Sequence, residues 1–222
     1  MNKAAFENTL RNYPRTYITE IELKTLLGGT RDSCYAKIKR LSAEDKLLHV
    51  RRGLYCLTEK VGYYTKPHPF ALAQYIYGPS CISLESALSF HQLIPEAVYT
   101  ITSTCTKRSR EFSSPLGLFT YTHLPIENFY TEVDLISQDG QVFFMARPWR
   151  AICDYAFCYK KNWHDLNELL EELRINLEDL PKLTHHAVKS LSNYYKNDRL
   201  SKFLIRIKSD LNRKNTGFIG IN

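Results

Sequence analysis

The sequence has no apolar run that approaches the roughly 18 residues of a membrane-spanning helix. Residues 1–15 also lack the apolar stretch and small-residue cleavage site of a secretory signal. We therefore expect a cytoplasmic protein that does not contact a membrane. Two common enzyme motifs are missing as well: the chain has neither a GxxxxGKS/T phosphate-binding loop nor a GxSxG nucleophile elbow.

Cysteine is present, but its spacing suggests neither a disulfide framework nor a metal site. The six cysteines are Cys34, Cys56, Cys81, Cys105, Cys153 and Cys158. The closest pair, Cys153 and Cys158, has no second pair and no histidine couple at zinc-ligand spacing. We predict reduced, mostly buried thiols, and we expect no metal and no other cofactor.

Positive charge is concentrated near the N-terminus of the chain. The chain has 222 residues, of which 44% are hydrophobic and 24% charged, so one large core or two small ones can form. Residues 1–65 hold 12 Lys and Arg against 7 Asp and Glu, whereas residues 66–150 hold 6 against 7. Residues 151–222 hold 12 against 9. A local basic excess, unlike a scattered one, indicates a partner with negative charge.

Three short helices are predicted before residue 47. The first spans residues 3–12, and Thr19 is a plausible N-cap of the second. Gly28 and the glycine after it end the second helix, and Thr30 caps a third that runs to about Lys46. Two helices joined by a short glycine turn form the core of a helix-turn-helix, in which the second helix enters the DNA major groove.

The third helix is predicted to have an apolar side and a basic side. Cys34, Ile38 and Leu41 form the stripe that should face the core. The opposite side suits contacts with base edges and phosphates, and it carries Ser33, Ala36, Lys37 and Arg40, flanked by Lys39. Arg31 lies nearer the buried side, but its side chain is long enough to reach a phosphate. The alternative is a basic face that is only solvated.

The next segment, LLHVRRGLYCL, is predicted to be a β-hairpin with a basic tip. Its two apolar runs surround Arg51, Arg52 and Gly53. In winged-helix proteins such a hairpin lies beside the recognition helix and reaches the DNA backbone or the minor groove. The alternative is an exposed hairpin whose arginines only aid solubility. The order of three helices, a glycine turn and a basic hairpin favours duplex DNA as the partner.

A second domain should follow the hairpin, because two prolines within residues 61–69 predict a linker. We place a winged helix-turn-helix domain at residues 1–62 and a second domain at residues 67–222. In the second domain the pattern predicts helices at 70–77 and 83–93, strands at 98–104, 118–123 and 141–146, and helices from residue 148 onward. The predicted fold class is therefore α+β, with a mixed α+β second domain and a helical tail.

Three cations lie between two of these strands, in a predicted hairpin-like loop: Lys107, Arg108 and Arg110. They could bind an acidic partner or a second stretch of phosphate. The alternative is a solvated loop.

Four segments of the chain resemble the AbiEi family of type IV toxin-antitoxin antitoxins and their winged-helix regulator relatives. They are RRGLYCL, PSCISLESALSFHQLIP, ITSTCTKRSR and FFMARPWRAICDY, and the resemblance covers residues 17 to about 160. Trp149 and Arg150 stand where the family pattern would have an acidic-basic pair. The resemblance implies an autoregulating repressor. Its N-terminal domain would bind inverted repeats in its own promoter, and its C-terminal domain would counter a nucleotidyltransferase-like toxin.

Two other classes of function remain as alternatives. A metal-dependent nuclease needs clustered carboxylates, usually with a lysine on the following strand. Asp134 and Asp139 precede the strand at 141–146, but that strand carries neither an acid nor a lysine. We therefore predict no catalytic residues, and a nucleic-acid-processing enzyme is the weaker alternative. The other is a winged-helix regulator whose second domain responds to a small ligand.

Overall fold

The first part of the chain folds into three helices and a small antiparallel sheet. The computed structural model describes residues 3–62 and 66–217. The elements are α1 (Lys3–Arg11), β1 (Tyr17–Thr19), α2 (Glu20–Leu27), α3 (Arg31–Ala43), β2 (Leu47–Arg51) and β3 (Leu54–Leu57). The strand order is β1-β3-β2, so β1 pairs with the second strand of the hairpin.

The predicted helix caps are confirmed. The Thr19 hydroxyl accepts a hydrogen bond from the Glu22 N–H, and the Glu22 carboxylate accepts one from the Thr19 N–H. The Thr30 hydroxyl caps α3 by accepting from the Ser33 N–H. The third helix ends at Ala43, short of the predicted Lys46, because the backbone turns left-handed at Asp45 with φ of 52°.

A small core holds these elements together. Cys34, Ile38 and Leu41 are buried, which confirms the predicted apolar stripe of α3. Ile38 and Leu41 pack with Leu10 of α1 and Leu23 of α2. Each fully buried leucine or isoleucine stabilises the fold by roughly 1.5–3 kcal/mol. The helix that carries the candidate interface is thus fixed against the other two.

The second part is a six-stranded mixed sheet with helices around it. Its first elements are α4 (Pro69–Ile76), β4 (Ser80–Ile82), α5 (Leu84–Phe90), β5 (Ile101–Cys105), β6 (Arg110–Ser114), β7 (Gly117–His123), β8 (Val133–Gln138) and β9 (Gln141–Ala146). The strand order is β6-β7-β5-β4-β9-β8. The predicted α+β class is confirmed at this level.

Three of the six strands were missed by the sequence pattern. β4 has only three residues, and β6 and β8 are the two edge strands, whose side chains alternate poorly between apolar and polar. Arg110 is the first residue of β6, so placing it in the loop with Lys107 and Arg108 was wrong. The edge position explains the miss, because β6 has only one pairing partner and buries little apolar surface.

The helical tail is confirmed within the described residues. It consists of α6 (Pro148–Cys158), α7 (Leu166–Leu173), α8 (His185–Tyr195) and α9 (Asp198–Gly217). Leu166, Leu169 and Leu173 are buried and form the core side of α7. No helix in the described part of the chain is long and apolar enough to span a membrane.

The two parts of the chain pack against each other. Tyr17, Val50, Leu54 and Cys56 belong to the large core of the second part rather than to the small one. The Gln141 side chain adds two hydrogen bonds: it accepts one from the Thr16 hydroxyl and donates one to the Lys66 carbonyl. Residues 63–65 of the predicted linker, and residues 1–2 and 218–222 of the predicted domains, lie outside the described residues.

Candidate nucleic-acid interface

The side of α3 that faces away from the core is polar, basic and accessible. Arg31, Ala36, Lys39 and Arg40 are exposed. The expectation that Arg31 lies nearer the buried side was wrong. Side chains on a helix tilt toward its N-terminus, so a residue in the first turn projects past the end of the small core.

The other two predicted contacts on this helix, Ser33 and Lys37, are half-buried. Tyr35, which was not among the predicted contacts, is 65% exposed. Tyr35 lies at the flank of the Cys34-Ile38-Leu41 stripe, about 100° from Cys34 around the helix axis, so the small core does not reach it. An exposed aromatic ring beside lysines and arginines could have been recognised as part of the interface.

The cations of α3 are available to a partner. Arg40 has one acidic neighbour, Glu44, with 3.8 Å between Arg40 Nε and Glu44 Oε1. This ion pair is exposed and therefore weak. In the described part of the chain, Arg31, Lys37 and Lys39 form no ion pair within 4 Å. Binding of a polyanion therefore would not first require strong internal bridges to break.

The basic hairpin predicted from LLHVRRGLYCL is confirmed, and its two arginines differ. Gly53 has φ of +79°, a conformation that permits the tight turn. Arg52 is exposed at the tip. The Arg51 side chain instead turns back onto the protein, where Nη1 donates to the Arg52 carbonyl at 2.9 Å and Nη2 to the Tyr75 carbonyl at 3.2 Å.

The cations of the second part lie on exposed backbone that packs near the hairpin. Lys107, Arg108 and Arg110 are exposed, and β6, which begins at Arg110, contacts β2. The Tyr77 hydroxyl donates to the Arg108 carbonyl at 3.1 Å, and Lys107 Nζ lies 5.3 Å from the centre of the Tyr77 ring. The position of this segment is therefore fixed while its charged groups reach solvent.

A buried polar cluster joins the start of α5, α6 and the end of α8. The Asp154 carboxylate accepts hydrogen bonds from Ser83 Oγ at 2.6 Å, from Tyr195 Oη at 2.5 Å and from Arg150 Nε at 3.0 Å. Burial works against the charge of Arg150, but Asp154 together with Tyr195, Tyr194 and Cys81 outweighs burial and raises the pKa of the guanidinium. Burial also raises the pKa of Tyr195 well above its usual value.

This cluster has the residue types of a catalytic site but not the access. Ser83, Arg150 and Asp154 are completely buried, so no substrate reaches them. Ser83 lies at the N-cap position of α5, but its hydroxyl makes no cap bond and donates to Asp154 instead. Arg150 thus pairs with an acid four residues later in the same helix.

Other features relevant to metals and ligands are few. All six cysteines are unpaired, and all but Cys158 are buried, as predicted. Within residues 3–62 and 66–217, no group of three or more His, Cys, Asp and Glu side chains could hold a metal ion. A groove of about 460 Å³ lies beside Tyr194 and Lys196, and its wall includes Glu127, which is paired with Lys196.

The comparisons with known proteins add no assignment to this geometry. No model of a known protein family matches the chain, and no curated protein matches it. The exposed basic face of α3 and the tip of the hairpin are therefore the features from which a function can be argued.

Proposed function

We propose that the chain is a DNA-binding transcriptional regulator whose N-terminal part is a winged helix-turn-helix. The observation that carries this proposal is the arrangement of α2, the Gly28-Gly29 turn and α3, with an exposed basic face on α3 and a hairpin beside it. The pairing of β1 with β3 holds that hairpin in place. In this arrangement α3 is the recognition helix and β2-β3 is the wing.

The residues of α3 divide into two roles. Arg40 and Lys37 have the reach for base edges, and the methyl group of Ala36 suits a thymine methyl. Ser33, Lys39 and Arg31 suit phosphates, as does Arg52 at the wing tip. Tyr35 adds an aromatic ring with a hydroxyl group to the same surface.

The second basic segment would extend this contact. Lys107, Arg108 and Arg110 lie on or next to the strand that contacts β2, which supports a phosphate contact by the second part of the chain. Such a contact would add affinity without adding base specificity.

The finer biological role follows the resemblance to the AbiEi antitoxins. In that role the protein would act in the cytoplasm, bind inverted repeats in its own promoter and counter a nucleotidyltransferase-like toxin. The four resembling segments support it, because they include the wing and the strand-to-helix passage that ends at Asp154 and Tyr155.

A binding titration tests the proposal. The purified chain is titrated with duplex DNA from upstream of its own gene and with a scrambled duplex, over a series of salt concentrations. We expect tighter binding to the upstream duplex and a fall in log K of about 0.9 per unit of log salt for each phosphate neutralised. Failure to bind either duplex at low salt would contradict the proposal.

A further inference from the structure

The two arginines of the wing have opposite surroundings. Arg52 is exposed, and its side chain forms no hydrogen bond or ion pair within the described residues. Arg51 is half-buried, and both of its terminal nitrogens donate to backbone carbonyls. Its third nitrogen, Nε, is shielded from solvent and has no hydrogen-bond partner among the described residues. The Arg51 guanidinium is therefore directed into the protein rather than toward a ligand.

The groups around Arg51 belong to both parts of the chain. The acceptor Tyr75 is in α4, and the charge of Arg51 also acts on Tyr121 of β7. Burial raises the pKa of Tyr121, and the nearby Arg51 charge works against that rise. The Tyr121 hydroxyl donates to the carbonyl of Ala73, two residues before Tyr75 in the same helix, at 2.6 Å. Arg51 thus connects the wing to the last turn of α4.

The other side of the wing tip is also held. The Gly53 carbonyl accepts a hydrogen bond from the Glu20 N–H at 2.9 Å, which ties the tip to the start of α2. The ladder between β2 and β3 is irregular between His49 and Arg51. Apart from Arg51, the tip is oriented by the Gly53 bond, by the pairing of β3 with β1 and by the packing of Val50 and Leu54.

We infer that Arg51 is a positioning residue for DNA binding, and that Arg52 alone of the pair contacts phosphate. This inference rests on the proposed function. Arg51 fixes the wing on α4, and its bond to the Arg52 carbonyl sets the direction in which Arg52 projects. A lysine cannot replace it, since one ammonium group does not reproduce the planar fork that reaches two carbonyls.

The substitution Arg51→Lys separates positioning from phosphate contact. If Arg51 positions the wing, Arg51→Lys and Arg51→Met both lose affinity for the upstream duplex, by about tenfold. The slope of log K against log salt also becomes shallower by up to about 0.9 in both variants, because Arg52 no longer reaches its phosphate, and it becomes shallower by about 0.9 in Arg52→Ala. Lys189→Ala, which removes an exposed cation from α8, serves as the control. If Arg51 instead contacts phosphate, the lysine keeps the positive charge and Arg51→Lys binds like the wild type. That result would overturn the inference.

Amide hydrogen exchange without DNA tests the positioning role independently of the proposed function. We expect exchange at Glu20 and across residues 50–54 to be about tenfold faster in both Arg51 variants and unchanged in Arg52→Ala. Unchanged exchange in the Arg51 variants would overturn the inference even if DNA binding is found. If exchange is faster in the Arg51 variants but the protein binds no DNA, Arg51 still holds the wing against α4. In that case only the proposed function is contradicted.

Discussion

The rings of Tyr17 and Tyr75 are in contact, tilted by 32° with their centroids 3.8 Å apart, and this contact joins β1 to α4. Tyr17 is buried in the large core, although it belongs to the small sheet of the first part. Together with Arg51 and Gln141, this ring contact makes the two parts of the chain depend on each other. Unfolding should therefore be cooperative across the linker.

Substituting Tyr17 should destabilise both parts together. Tyr17→Ala removes a buried ring, and we expect a loss of about 3 kcal/mol in the free energy of unfolding. Both tryptophans, Trp149 and Trp163, lie in the second part, so their fluorescence reports on that part. The fluorescence and circular dichroism transitions should shift equally. Tyr99→Ala, at a residue that is 88% exposed, is the control. A tryptophan transition that does not move in Tyr17→Ala would show that the two parts unfold independently.

The buried ion pair of α6 should be costly to break. Asp154→Ala leaves the Arg150 guanidinium charged and without its carboxylate in a site of zero exposure. We expect a loss of about 3–5 kcal/mol in the free energy of unfolding, measured in urea. The matched control is Glu127→Ala, which breaks the exposed pair with Lys196 and should cost less than about 1 kcal/mol. Equal effects of the two substitutions would contradict this account of the cluster.

His68 should make the stability of the fold depend on pH. Its ring stacks on Phe143, and its Nδ1 accepts the Phe70 N–H at the start of α4. Burial lowers the pKa of His68 from its usual value of 6.5, with Asp139 acting in the opposite direction. The stability from neutral His68 is therefore complete above pH 6.5 and is lost as the pH falls through the lower folded-state value.

We expect Tm to fall as the pH is lowered below 6.5, and to fall less in His68→Asn, because an asparagine caps the helix without titrating. Thermal unfolding at a series of pH values measures the difference. The same pH dependence in both proteins would exclude His68 as its source.

The second basic segment should contribute affinity without specificity. Arg110→Ala removes one cation beside the wing. We expect it to weaken binding to the upstream and scrambled duplexes equally and to make the slope of log K against log salt shallower by about 0.9. Lys189→Ala is again the control. If Arg110→Ala weakens binding to the upstream duplex alone, the segment reads bases rather than phosphates.

Local signals predicted the first part well and the second part less well. Thr19, Thr30 and Gly53 act on neighbouring residues, so their roles in two helix caps and a turn are visible in the sequence. The bonds of Arg51 to Tyr75 and of Ser83 to Asp154 join residues distant in sequence, and no local pattern indicates them. For the same reason, the proline-containing linker predicted a boundary but not the packing across it.

The basic face of α3 is the centre of the proposed function, and Arg40→Ala tests it most directly. The variant, with Lys39→Ala beside it, is titrated with the upstream and scrambled duplexes at one salt concentration. If Arg40 contacts a base edge, its loss costs roughly 1–3 kcal/mol on the upstream duplex and little on the scrambled one. Lys39→Ala should weaken both duplexes alike, as the loss of a phosphate contact does. Binding that is unchanged in both variants would contradict the account, since the basic face of α3 would then be solvated surface only.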